Sequence, residues 1–259
     1  MGKKPTYFGK HFDKLKDVNS VYSEKIIVDA ETKNEYEAGK LILINKDLHW
    51  TSFDVVRKIR GALQIKKVGH AGTLDPLATG MLIVCTGKFT KKINEYMSQE
   101  KEYTGTFTLG AVTPTYDAES APERVKDYSF VNDALLEQFT AQFIGHIQQL
   151  PPIYSAIKKD GVALYDLARR GDEIKLEPRN IYIRSFEITK TELPLVHFKV
   201  ICGTGTYIRS LAHDYGAALG CGAYLSSLCR TRIGEFKIEE AVKLDAFLLS
   251  VKKEVKSEN

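Results

Sequence analysis

The sequence predicts an α+β fold built on a mixed, largely antiparallel sheet flanked by helices and loops. Three observations carry that expectation. Short apolar or alternating runs recur at 41–44, 81–85, 103–109, 181–188, 195–202 and 224–229, as strands of a partly buried sheet require. Helix start and stop signals separate several of them, as at Thr51-Ser52-Phe53-Asp54 and from Asn132 to Gly145. Strands and helices follow one another irregularly rather than as βαβα units, which points away from a parallel sheet.

The 259 residues are 43% hydrophobic, 27% charged and 10% aromatic, a globular composition that excludes a disordered, collagen-like or disulfide-stapled chain. No apolar run approaches the roughly 18–20 residues that span a bilayer, and mean hydropathy is −0.23. The opening MGKKPTYFGKHFDK lacks the apolar core of a secretory signal, so a cytoplasmic location is expected. Cys85, Cys202, Cys221 and Cys229 are scattered and form no C-x-x-C pair, which fits reduced thiols. A net charge of +4 permits nucleic-acid binding without arguing for it.

In chain order, residues 1–38 are polar and mixed in charge. They read as an N-terminal extension, with some order around Ile26-Ile27-Val28. A single domain is expected over 39–250 and a charged tail over 251–259. After the strand at 41–44, Val55, Val56, Ile59, Ala62 and Leu63 fall at helical spacing, while Arg57, Lys58 and Arg60 mark the other side. With Lys66 and Lys67 they make five cations and no acid between Val55 and Leu74. Such a run is either a solvated helix face or a phosphate-contacting surface. A short helix is expected near Ile93 and Tyr96, and an exposed loop over 112–128. Leu135, Phe139 and Phe143 form a helical stripe, and a further short helix is expected around Tyr165, Leu167 and Ala168. Val196, Phe198, Val200 and Cys202 alternate as a strand. Residues 203–220, GTGTYIRSLAHDYGAALG, read as a loop feeding a helix, and a last helix is expected near 244–249.

Two apparent phosphate motifs fail on inspection. Between Gly80 and Gly87-Lys88 the spacer is six residues, and Phe89 stands where a P-loop needs Ser or Thr. Gly203-Thr204-Gly205 lacks the third glycine of a dinucleotide fingerprint. The six histidines include no H-E-x-x-H pair, so no metal site is expected. The loop at 69–80, GHAGTLDPLATG, is different. Its one carboxylate, Asp75, precedes Pro76, which pushes Asp75 out of the α region, and its glycines permit close approach of a ligand. Taken alone, Asp-Pro also starts an ordinary turn.

GHAGTLDPLATG closely resembles the catalytic signature of pseudouridine synthases of the TruB type. The likeness extends over about residues 40–235 through LILINKDLHWTSFDVV, KEYTGTFTLG, PPIYSAIKKDG, GTYIRSLAHD and LGCGAYLSSLCR, in the expected order. The resemblance implies the pseudouridine synthase fold and the conversion of uridine 55, in the T-arm stem-loop of tRNA, to pseudouridine. It implies Asp75 as the nucleophile, Arg209 as its charged partner, and Tyr103 as the residue that stacks on the target base and aids proton removal. His70 matches the residue that braces the RNA stack after the base is flipped out. Tyr207 and Leu228 match positions lining the pocket, and Lys46 lies in the first motif, near the site. The basic residues Arg57, Lys58, Arg60, Lys66 and Lys67 then become candidates for contact with the RNA backbone.

No cofactor is needed for an isomerisation without redox change or net hydrolysis, and a monomer with no obligate protein partner and no membrane attachment is expected. Members of the family often carry a C-terminal PUA domain, and the two dozen or so residues beyond Phe236 are too few for one. Two alternatives remain. A non-catalytic tRNA-binding chaperone sits poorly with the presence of Asp75, Tyr103 and Arg209. A guide-RNA-dependent synthase sits poorly with Leu77-Ala78, where those relatives show Lys-Val.

Overall fold

Helix signals, strand alternation and turn glycines become elements in a computed structural model of the chain, in which residues 26–123, 125–155, 158–159, 162–163, 170 and 176–252 are described. In chain order these are α1 (Ala30–Ala38), β1 (Leu41–Lys46), α2 (Ser52–Leu63), β2 (Val68–His70), β3 (Ala78–Thr86), α3 (Ile93–Ser98), β4 (Lys101–Leu109), α4 (Asp133–Thr140) and β5 (Gly145–Gln149). They continue with β6 (Lys158–Lys159), β7 (Val162–Ala163), β8 (Arg179–Glu192), β9 (Leu195–Cys202), α5 (Ile208–Leu219), β10 (Ala223–Ile233), β11 (Phe236–Lys237), β12 (Val242–Lys243) and α6 (Leu244–Ser250). The helix expected around Tyr165, Leu167 and Ala168 lies outside the described residues. The chain groups into two compact units, one of residues 1–76, 82–96 and 239–259, the other of 77–81 and 97–238. Strand β3 begins in the second and ends in the first.

In the first unit, Thr51 and Asp54 form a reciprocal capping box that starts α2, each side chain meeting the other residue's backbone N–H. The helix then buries Val55, Val56, Ile59, Ala62 and Leu63 against Ile42 and Ile44 of β1, Leu82 and Val84 of β3, and Leu244, Phe247 and Leu248 of α6. Each large side chain taken fully from water contributes roughly 1.5–3 kcal/mol, so this stripe holds the helix in place. Strand β1 pairs in parallel with β12, Ile44 opposite Val242, and β2 pairs antiparallel with β3, His70 opposite Val84. Ile26, Val28 and Tyr36 pack onto the same core, Tyr36 edge-on to Phe247 with ring centroids 6.0 Å apart. Helix α1 buries none of its residues, and its start is fixed by the Asp29 carboxylate accepting from the Thr32 N–H at 2.7 Å.

In the second unit the strand order is β3–β10–β4–β9–β8–β5, with β11 also paired to β10. Only the β3–β10 pair is parallel in that series; the others are antiparallel, giving the expected mixed, largely antiparallel sheet. The alternation of β9 buries Val196, Phe198, Val200 and Cys202. Phe107, Phe198, Phe186, Tyr215 and Phe143 gather into an aromatic cluster, the first two stacked at 4.1 Å. The stripe expected on α4 is rotated. Leu136 is fully buried, its carbonyl accepting from the Tyr215 hydroxyl at 2.8 Å, while Leu135, Phe139 and Phe143 are half-buried. Burial raises the thiols of Cys85 and Cys202 to about 11 and about 12, so both are neutral packing groups.

Candidate active site

The loop that carries Asp75 is held by its neighbours' backbones. Ser52, the first residue of α2, accepts from the Leu74 N–H at 2.8 Å and donates back to the Leu74 carbonyl at 3.2 Å. On the other side, the His49 N–H donates to the Pro76 carbonyl at 2.7 Å. His49 reaches it with φ at 69°, in a turn anchored by Lys46, whose ammonium donates to the carbonyls of Asp47 and Trp50 at 3.0 and 2.7 Å. Lys46 is fully buried. Asp75 is thus flanked by two fastened residues and is itself half-buried. His70 is also half-buried, at the end of β2, and the Ala71 N–H donates to Ile83 at 2.9 Å.

The glycine closing this loop has a structural reason. Gly80 sits at φ 100°, and a Cβ there would come within 2.4 Å of the Arg230 carbonyl, so only glycine lets β3 pair with β10. Beside it, β10 sets Leu228 opposite Gly105 and Arg230 opposite Tyr103 of β4. Directly opposed residues share a sheet face, which places the buried Tyr103 and the half-buried Leu228 on the same side.

The first turn of α5 collects the remaining groups of the second unit. Tyr207, its N-cap, exchanges two hydrogen bonds with the Gln149 side chain, at 2.8 and 3.1 Å. The Ser210 hydroxyl donates to the Leu150 carbonyl at 2.7 Å. Arg209 is buried. Its guanidinium donates to the Tyr154 carbonyl at 3.0 Å and the Thr115 carbonyl at 3.3 Å, and Nε lies 3.6 Å from Oδ2 of Asp117. Asp117 is buried as well, and Oδ1 accepts from the Thr115 hydroxyl at 2.6 Å and the Glu119 N–H at 3.0 Å. The polarity of the 112–128 segment predicts exposure, and at its start the segment is buried instead. Thr113, Thr115 and Asp117 are inside because their hydroxyl, carboxylate and backbone groups satisfy one another.

The contacts of Ser52 and His49 with the Asp75 loop in the first unit, and of Asp117 and Gln149 with the start of α5 in the second, are not among the roles the sequence motifs assign. The one local signal is Thr113-x-Thr115-x-Asp117, alternating hydrogen-bonding side chains within a polar segment.

The basic residues divide. Lys66 and Lys67 are exposed, and Arg57 is exposed but paired with Asp54 at 2.8 Å. Arg60 turns back to donate to the Val68 carbonyl at 3.0 Å. Lys58 is half-buried, and burial lowers its pKa. Among the described residues, no group of three or more His, Cys, Asp or Glu could hold a metal ion, and no helix is long and apolar enough to cross a membrane.

Further along α5, burial pushes the Asp214 carboxyl up to about 6 from its ordinary 3.8. The folded state therefore disfavours the ionised form. Its contribution to stability is fully present below pH 3.8 and is lost as pH rises through about 6. Asp214→Asn is expected to raise Tm by roughly 2–4 °C above about pH 7 and to leave it unchanged near pH 4. Thermal melts at the two pH values check this, and an equal shift at both would contradict it.

Comparison with known proteins gives the class. A model of the TruB family pseudouridylate synthase N-terminal domain matches residues 60–208, and one of the tRNA pseudouridylate synthase B C-terminal domain matches 209–258. The fold is that of a pseudouridine synthase, and a solved Cbf5-Nop10-Gar1 complex contains a similar chain. That chain is 29% identical with a TM-score of 0.65, over 87% of this chain and 60% of its own.

The protein belongs to the TruB family of pseudouridylate synthases. It is 49% identical over 223 residues to tRNA pseudouridine synthase B of Flavobacterium johnsoniae, covering 83% of this chain and 97% of that protein. The corresponding protein of Parabacteroides distasonis is 45% identical, with coverage of 83% and 95%.

Proposed function

We propose that the protein isomerises uridine 55 in the T-arm of tRNA to pseudouridine, with Asp75 as nucleophile on a flipped-out uridine. The observation that carries this reading is the fastening of Leu74 by Ser52 and of Pro76 by His49, which presents the Asp75 carboxylate from a fixed backbone. Preorganisation of this kind matters because a reacting group displaced by about 1 Å can lose about 100-fold in rate. The reaction breaks the bond from the ribose to the ring nitrogen and forms one from the ribose to a ring carbon. The ring carbon gives up a proton and the freed nitrogen gains one, so redox state and composition are unchanged.

Asp75 must be ionised to attack, and Arg209, permanently cationic, is assigned to favour that form. Tyr103 packs on the flipped base and assists proton removal. Tyr207 and Leu228 line the pocket, and His70 fills the vacated stack, offsetting part of the few kcal/mol that flipping costs. Lys46 acts by holding the 47–50 turn, as its buried ammonium indicates. The protein is proposed to work as a cytoplasmic monomer without cofactor, guide RNA or protein partner. Its high identity to proteins named tRNA pseudouridine synthase B supports this over the guide-dependent reading. Mapping modified uridines in a strain lacking the gene tests the assignment. Position 55 of its tRNAs is expected to be unmodified, and pseudouridine persisting there would overturn it.

Lys66 and Lys67, exposed and without an acid in their stretch, are proposed to meet tRNA phosphates. Reversing both charges is expected to weaken tRNA binding and to reduce the salt slope by about one for each lost phosphate contact. Filter binding across a salt series measures it, and an unchanged slope removes these lysines from the interface.

A further inference from the structure

The turn that supplies Arg209 with its partners contains a ring pair the proposed reaction does not use. Tyr116 sits between Thr115 and Asp117, the two residues of that turn that meet Arg209. Its φ is 64°, a left-handed conformation that a bulky residue holds only when its surroundings impose it. Two contacts impose it here. The Leu225 N–H donates to the Tyr116 carbonyl at 2.9 Å, and the Tyr116 ring lies flat on His213, with centroids 4.0 Å apart and planes 16° from parallel. His213 follows Arg209 by four residues on α5, so the two side chains leave the same face of the helix. One helix face thus grips the turn twice, through the ring stack and through the guanidinium.

We propose that the Tyr116–His213 stack is a positioning device that keeps Thr115 and Asp117 in register with Arg209. Without the ring contact the turn loses one of its two anchors, and residue 116 no longer fixes the Thr115 carbonyl and the Asp117 carboxylate on either side of it. His213 acts here as a flat ring and not as a proton carrier, and burial lowers its pKa, which keeps the imidazole neutral. The neighbouring Asp214 carboxyl faces the same ring: burial raises the Tyr116 hydroxyl's pKa and the Asp214 charge raises it further. This inference rests on the reading of Arg209 as a participant in the uridine reaction.

The test compares His213→Ala, His213→Phe, Tyr116→Gly and the double variant His213→Ala/Tyr116→Gly, with kcat and KM measured separately on tRNA. His213→Ala is expected to lower kcat about 10- to 100-fold with KM changed less than about twofold. His213→Phe keeps a flat ring and is expected to retain at least about half of the activity. Tyr116→Gly accepts the positive φ but loses the ring, and should match His213→Ala, with the double variant no worse than either single one. Two patterns overturn the proposal: wild-type kcat in His213→Ala, or equal loss in the Ala and Phe variants, which would assign the effect to the imidazole itself. If His213→Ala does not fold, Tyr116→Gly against wild type carries the decision alone, wild-type kcat there overturning the proposal. Asp75→Asn measured alongside keeps the two readings apart, since its failure to abolish activity sinks the assigned chemistry and leaves the stack's effect on kcat to be read independently.

Discussion

Asp75→Asn is expected to lower the single-turnover rate of pseudouridine formation by about 10⁴-fold or more while leaving tRNA affinity within about threefold of wild type. The substitution is close to isosteric and exchanges a nucleophilic carboxylate for an amide that cannot attack. The loop survives it because its fastening runs through the backbone of neighbours: Ser52 to both polar groups of Leu74, and His49 to the Pro76 carbonyl. A loss of rate without a loss of affinity or of Tm then reports chemistry alone. Product formation at the wild-type rate would remove Asp75 from the reaction.

The second large effect is expected at Arg209. Its guanidinium serves three directions at once, toward Tyr154, Thr115 and Asp117. Lysine offers a point charge on a flexible stem and cannot reproduce that fork. Arg209→Lys is therefore expected to lower kcat by about 100- to 1,000-fold, the scale of removing one well-placed electrostatic group from an active site. Stability separates the structural part of this from the chemical part. Arg209→Met leaves Asp117 buried and without its cation, at a cost of about 3–5 kcal/mol, whereas Arg209→Met/Asp117→Leu removes both charges and is expected to recover most of that loss. Urea unfolding of the three variants gives the stabilities, and the two that lack the cation, Arg209→Met and Arg209→Met/Asp117→Leu, are both expected to be inactive. Recovery of activity with stability in the double variant would make the pair purely structural.

What the sequence discloses follows from what local patterns can encode. The alternation of β9 and the capping box of α2 are written in adjacent residues, so both are legible in the chain alone. The α4 stripe falls one position away from its expected place because Leu135 and Leu136 are chemically identical, and only packing against Tyr215 selects the second. Helix α1 leaves no periodic trace, since AETKNEYEA has no apolar face to read and its start is set by a side-chain cap. Asp75 stands out because GHAGTLDPLATG resembles a family signature, whereas its residues alone read equally as an ordinary Asp-Pro turn. Its support is not legible, because Ser52 meets Leu74 from 22 residues away through backbone atoms that every residue possesses. Asp117 is hidden by composition. A polar segment reads as exposed until its threonines and carboxylate are seen to satisfy one another.

The most direct test uses the purified protein and an unmodified tRNA transcript, with no guide RNA, protein partner or cofactor added. Modified uridines are mapped along the whole transcript. Pseudouridine at position 55, formed by the wild-type protein and absent with Asp75→Asn, is the predicted result. Bound but unmodified tRNA, or product that appears only when a guide RNA is supplied, would contradict it.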